Sequence, residues 1–134
     1  MDLKPYGSRP IIVRVPWTVV FHPEFEPEFD RLDGRVREEL LAQAHVLETF
    51  GPSLGRPRVD TLKDSSHGNM KELRFTAANG VWRVAFAFDP RQRAIFLVAG
   101  AKQGISQDRF YRQLIRKADQ RFDRHLAQLN ERKK

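Results

Sequence analysis

No cysteine occurs among the 134 residues, which excludes disulfides, a thiolate nucleophile and a cysteine-rich zinc site. Any chemistry must use other groups. Long apolar runs are missing too: the longest, AIFLVAGA at 94–101, falls far short of the ~20 residues that cross a bilayer as a helix. The opening MDLKPYGSRP holds no apolar stretch of signal-peptide length, so no membrane attachment and a cytoplasmic location are expected. The four histidines, His22, His45, His67 and His125, are scattered without metal-ligand spacing, and neither a metal nor another cofactor is expected. Gly100, Lys102 and Gly104 lack the spacing of a phosphate-cradling loop, which leaves Gly100 as a strand terminator. There is no internal repeat and no low-complexity segment.

What is present suits one domain with a real hydrophobic core. Residues 1–15, with Pro5, Gly7, Ser8 and Pro10, read as a loose leader, and 16–134 as a single domain. The formal net charge is +7 and the pI near 10.2, a balance that favours an anionic partner. It is unevenly spread. Residues 22–50 carry eight carboxylates against three arginines, a balance of −5, whereas residues 109–134 carry nine cations against three carboxylates, a balance of +6. A polyanion would meet the second end, where Arg109, Arg112 and Arg116 share a helix face and are candidate RNA-binding residues.

Before Phe25, IIVRV and WTVVF read as one strand broken at Pro16. Phe25, Phe29, Leu32, Val36, Leu40, Ala44 and Leu47 then recur at steps of three and four, the stripe of a helix. Asp33-Gly34 divides it into a short helix and a longer one over about 35–50, stopped by Gly51-Pro52. RVDTLKDSSHGN holds one short extended piece of undefined register. Three strands follow, from Met70, from Val81 and over AIFLVAG, with turns at Asn79-Gly80 and Asp89-Pro90. The last is apolar on both faces, as in a strand covered on both sides. A final helix runs over about 106–129, with Ser106 as N-cap and a stripe of Phe110, Leu114, Ala118, Phe122, Leu126 and Leu129. The fold class is therefore α+β, helices on a mainly antiparallel sheet.

Positive charge sits inside this sheet. In the strand from Val81, Trp82, Val84, Phe86 and Phe88 point one way and Arg83, Ala85 and Ala87 the other. Arg74 and Glu72 lie on the matching face of the preceding strand. The two alanines predict a shallow, uncovered trough with room for a ligand. The first helices should cover the opposite, aromatic face and keep their carboxylates away from the trough. The plainer reading is a wet sheet face solvated by Arg74 and Arg83 or neutralised by Glu72.

If the ligand is RNA, scission by a 2′-hydroxyl needs a base, positive charge for the crowded phosphate and an acid for the leaving 5′-oxygen, without a metal. Arg83 and Arg74 would hold the phosphate, because a guanidinium fork matches its oxygens. Lys71, its proton loosened by nearby arginines, or His67 would be the base. Lys102 or Tyr111 would supply the acid or orient the base. The alternative is a non-catalytic nucleic-acid- or protein-binding module that uses the same basic face for phosphate contacts alone.

Three stretches, GPSLGRPRVDTLKDSSHGNMKELR, GVWRVAFAFDPRQRAIFLVAGAKQG and RFYRQLIRKADQRFDRHLAQL, carry a resemblance to a known family. From Trp17 to Leu129 the chain resembles the RelE/HigB-type toxins of bacterial type II toxin–antitoxin pairs, in their phage-derived HigB-like branch. The resemblance implies a RelE-like sandwich and a ribosome-associated mRNA endonuclease. It implies as partners the mRNA, the ribosome and a small helix-turn-helix antitoxin of the HigA type, which also represses the shared operon, so that operator DNA is met only through the antitoxin. By position Arg83 matches a phosphate-binding arginine of the middle strand, and Arg74 falls on the basic strand before it. Tyr111 resembles a tyrosine near the start of the last helix, and Lys102 approximates a basic residue after the last strand. Lys71 stands beside Glu72 where relatives often carry two lysines.

Overall fold

The computed structural model describes residues 17–132, so the leader and the IIVRV strand lie outside the described residues. The first helices form as their stripe dictates. Helix α1 (Glu26–Asp30) has Pro27 in its first turn, where its missing N–H costs nothing. Helix α2 (Gly34–Phe50) starts at Asp33, whose carboxylate accepts from Arg35 N at 2.8 Å. It ends at Gly51, whose φ of +54° admits little but glycine and whose added Cβ would lie 2.4 Å from the Trp17 ring.

The sheet has five strands in the order β1-β5-β4-β3-β2. Strands β3 (Lys71–Ala77), β4 (Gly80–Phe88) and β5 (Arg93–Ala101) form the expected antiparallel meander. It is extended at both edges. Strand β2 (Val59–Thr61) is the short piece whose register was undefined, and it pairs Asp60 with Glu72 on β3. Strand β1 (Thr18–Phe21) joins β5 in parallel. The β3–β4 turn is one residue earlier than expected: Ala78 and Asn79 take φ of +51° and +64°, the signature of a type I′ hairpin. Gly80 instead opens β4 opposite Ala77.

Helices α1 and α2 cover one face. Val36, Leu40, Ala44 and Leu47 pack with Phe25 on Leu73, Phe75, Val84, Phe86 and Phe96, as expected from the stripe and the aromatic phase of β4. The second face departs from expectation. Ala85 and Ala87 are fully buried, not the floor of an open trough, because helix α3 (Gln107–Arg132) lies on them through Phe110, Leu114, Ile115, Ala118 and Phe122. Small residues on a sheet let a helix approach closely, and here the basic helix supplies that cover. Ser106 accepts from Arg109 N at 3.2 Å and caps α3 as predicted. Gly100 is no terminator either: it lies inside β5, and an added Cβ would meet Phe110 at 3.1 Å.

Two arginines of the basic end are committed to partners within the fold. Between β4 and β5 the register slips, Ala85 pairing Val98 and Phe86 pairing Phe96, so Leu97 bulges out of the ladder. Its carbonyl accepts from Arg121 Nη1 at 2.7 Å, and the same guanidinium forks onto Glu28 of α1. Arg124 pairs with Glu24. The acidic first helix is thus tied to α3. At the far edge Glu48 of α2 accepts from Val19 N at 3.0 Å, occupying a donor that an edge strand would otherwise offer to another chain.

Asp89, at the β4–β5 turn, is a second buried polar centre. Its carboxylate accepts from Arg91 N at 2.9 Å, Arg93 N at 3.0 Å and Arg93 Nε at 3.0 Å, and lies 2.8 Å from His125 Nε2. Burial pushes its pKa up, but the bonds from His125, Arg93 and the two backbone amides together outweigh burial and leave it lowered. A folded value below the unfolded one means stability that is present above the ordinary carboxylate range and lost as pH falls through the folded value. Asp89→Asn is therefore expected to cost about 2 kcal/mol at neutral pH and to flatten the acid side of a plot of Tm against pH. An unchanged acid side would assign acid unfolding to other carboxylates.

Candidate active site

The hydrogen-bonded core of the candidate site is built by three elements. Alternation puts Glu72 and Arg74 of β3 on the α3 side of the sheet, and cross-strand pairing sets Arg83 of β4 directly opposite Arg74. Ala85 stands opposite Glu72, and its small side chain leaves room for a carboxylate. Helix α3 enters above them, and Ser106 fixes where it starts, so that Tyr111 arrives in its first turns. Arg83 Nε donates to Tyr111 Oη at 2.7 Å, and Arg74 Nη2 makes a longer contact of 3.4 Å with the same oxygen. Tyr111 Oη in turn donates to Glu72 Oε1 at 2.7 Å. Glu72 also lies 3.6 Å from Arg74 Nε and 3.8 Å from Arg83 Nε.

Arg83 has aromatic neighbours as well as hydrogen bonds. Its guanidinium carbon lies 5.5 Å from the ring centroids of both Phe110 and Tyr111, within cation–π range. The absence of a side chain at Gly100, which pairs with Arg83, admits Phe110 to that position. The bond to Tyr111 and, against the opposing cost of burial, the Glu72 charge raise the pKa of Arg74. Glu72 is buried, Arg83 and Tyr111 are half-buried and Arg74 is exposed. Positive charge therefore reaches solvent at one end of the cluster, and the carboxylate is sealed at the other.

The remaining sequence candidates fall in different places. Lys71 belongs to the opposite phase of β3, the face of Leu73 and Phe75, and its ammonium donates to Thr61 Oγ1 at 3.1 Å. It does not join the cluster. His67 stands against α3 through Asp123, 2.7 Å from Nε2, and the Phe122 ring. That attachment is about 18 Å along the helix from Tyr111 at ~1.5 Å per residue. Lys102 is exposed on the loop that leaves β5, two residues beyond the Gly100 partner of Arg83. Arg109, Arg112 and Arg116 are all exposed on α3. Arg112 and Arg116 line a groove of about 640 Å³ together with Tyr111, Asp64, Asp108, Asp119 and Asp123, so aspartates share that surface.

Sequence reasoning treated Glu72 only as a charge that opposes its neighbours. The signal that could have singled it out is its inward phase opposite an alanine, which marks a carboxylate that needs a buried donor.

This arrangement of paired arginines on the central strands, met by a tyrosine from the last helix, can be set beside known proteins. Residues 27–123 match the family described as phage-derived protein Gp49-like. The chain belongs to that family. It is 45% identical over 103 residues to a Mycobacterium tuberculosis protein provisionally named toxin HigB2, covering 76% of this chain and 51% of that one. It is 41% identical over 109 residues to another from the same organism, provisionally named toxin HigB3, covering 81% and 93%. The chain thus spans about half the length of the first relative and nearly all of the second. Among solved structures, a free-state variant of Escherichia coli toxin RelE superposes with a TM-score of 0.55 at 10% identity, over 77% of this chain and 97% of that one. The Gp49-like chain therefore has a RelE-like fold.

Proposed function

We propose that this Gp49-like chain is the toxin of a type II toxin–antitoxin pair and cleaves mRNA as a metal-independent endoribonuclease on the ribosome. The observation that carries the reading is the Arg83–Tyr111 bond of 2.7 Å with Arg74 at the same oxygen. Two guanidiniums converge on one ionisable hydroxyl, and one of them opens to solvent. A phosphodiester bound there would meet positive charge on its non-bridging oxygens and an O–H group beside them. Attack by the 2′-hydroxyl then leaves a 2′,3′-cyclic phosphate and a free 5′-hydroxyl. Lys102, on the loop beside Gly100, is the donor assigned to the leaving 5′-oxygen. The names of the relatives support the toxin reading, and such a toxin requires an antitoxin, here one of the helix-turn-helix HigA type, through which alone operator DNA would be met. No helix among the described residues is long and apolar enough to cross a membrane.

Induced expression without the antitoxin is expected to arrest growth and to create new transcript 5′ ends carrying hydroxyl groups, seen by mapping before and after induction. Co-expression of the antitoxin should abolish both. RNA binding without new ends, with or without ribosomes, would favour a binding module in which Glu72 simply neutralises the two arginines.

A further inference from the structure

Tyr111 Oη sits between a cation and a buried anion, and that position raises the question of where its proton goes. The oxygen accepts from Arg83 at 2.7 Å and donates to Glu72 at 2.7 Å. Glu72 is 5% exposed, far too enclosed for the attacking hydroxyl to reach it directly. The charged and titratable groups around it come from four elements: Arg74 on its own strand, Arg83 from β4, Tyr111 from α3, and Asp60 as its cross-strand partner on β2. The Asp60 carboxylate is turned to its own strand, accepting from Thr61 N at 2.9 Å. Lys71 and His67, the two bases considered from sequence, are elsewhere.

We infer that Glu72 is the positioning residue behind Tyr111 and takes up the proton that the 2′-hydroxyl gives to Tyr111, an inference that rests on the nuclease reading. In the free protein the Arg83 N–H occupies a lone pair of Tyr111 Oη. A phosphate that draws Arg83 and Arg74 onto its own oxygens releases that lone pair towards the neighbouring ribose. The 2′-hydroxyl then passes its proton to Oη as its oxygen bonds to phosphorus, and Oη passes its own proton to Glu72 Oε1. The bond from phosphorus to the 5′-oxygen breaks, and that oxygen takes a proton from Lys102. One proton enters the pair and one leaves Lys102, and exchange with solvent restores both. Substrate binding and base activation are thereby one event, because the cations that bind the phosphate are those that mask the base.

The test is single-turnover cleavage of an RNA oligonucleotide, with and without ribosomes, across the pH range in which the fold is intact. Glu72→Gln keeps the shape and a hydrogen bond but cannot accept a proton; Tyr111→Phe removes the relay atom. Each is expected to slow cleavage about 100-fold or more while RNA affinity stays within about threefold. The double variant should be no slower than the slower single one, as for residues acting as a unit. Glu72→Gln should also lose the fall in rate on the acid side, and Glu72→Asp should recover part of the activity. A Glu72→Gln protein that is folded and cuts with the wild-type rate and pH profile would overturn the inference, as would a slow one whose pH profile is unchanged or whose loss simply adds to that of Tyr111→Phe. If the wild type itself cuts nothing, the nuclease reading falls and this inference with it.

Discussion

Arg83→Ala is expected to abolish growth arrest and to slow RNA cleavage by about 10³-fold, the size of effect seen when a preorganised charge at a reacting phosphate or oxyanion is removed. Three contacts set this expectation. Arg83 holds Tyr111 at 2.7 Å, its guanidinium lies 5.5 Å from the Phe110 and Tyr111 ring centroids, and it stands directly opposite Arg74 across β3 and β4. The fold should survive, because the side chain lies at the rim of the α3 interface. The loss of its bonds to Tyr111 and Glu72 should cost about 1 kcal/mol, a few degrees in Tm. Arg83→Lys keeps the charge but loses the planar fork, and an intermediate rate is expected. Full toxicity of a well-expressed alanine variant would remove Arg83 from the phosphate site.

Arg121→Ala should act in the opposite way, leaving the site chemistry in place and weakening the fold by about 2–3 kcal/mol. Arg121 is 6% exposed and answers two needs at once, the bulged Leu97 carbonyl and the Glu28 carboxylate. Removing it leaves the Leu97 carbonyl without its donor in a buried setting and the half-buried Glu28 carboxylate without its partner. Arg124→Ala, which breaks an exposed pair with Glu24, should cost no more than about 1 kcal/mol. Urea unfolding of the two variants side by side checks the contrast. Equal stabilities would show that the bulge carbonyl finds another donor at little cost.

The pattern of apolar residues made most of the architecture legible. The stripe from Phe25 to Leu47, the alternation Trp82-Val84-Phe86-Phe88 and the stripe from Phe110 to Leu129 each follow one period, and each fixes which face is buried. Edge strands were harder. Val59–Thr61 is three residues long, too short for a period; WTVVF read as a strand and is one, but its parallel partner β5 is remote in sequence and no local pattern names it. The uncovered trough was misread because Ala85 and Ala87 look alike whether they floor a groove or receive a helix. Only the packing of α3 decides between these.

The candidate site was legible by parts. Arg74 and Arg83 share a face by alternation alone, and that pairing is seen directly across β3 and β4. Lys71 falls away by the same rule, since one residue along a strand reverses the side. Tyr111 and Glu72 lie 39 residues apart, and no local pattern foretells their bond. Arg121 and Arg124 were counted among cations awaiting a polyanion, whereas ion pairing across the fold commits Arg121 to Glu28 of α1 and Arg124 to Glu24 just before it. Formal charge along a helix reports what could be free, and only tertiary partners show what is.

The tie between Arg121 and Glu28 also sets an order of events. These residues are 93 apart in the chain, and β1 finds its partner only in β5. A nascent chain leaving the ribosome N-terminus first therefore exposes β1, α1 and α2 long before anything exists to receive them. The Arg74–Arg83–Tyr111 cluster likewise cannot close before α3 has been made. Because such long loops must be closed before their contacts repay them, these contacts are expected to form late. A chain whose synthesis stops before α3 has neither a second core layer nor an assembled cluster, so on the proposed reading truncation is expected to disarm it as fully as Arg83→Ala.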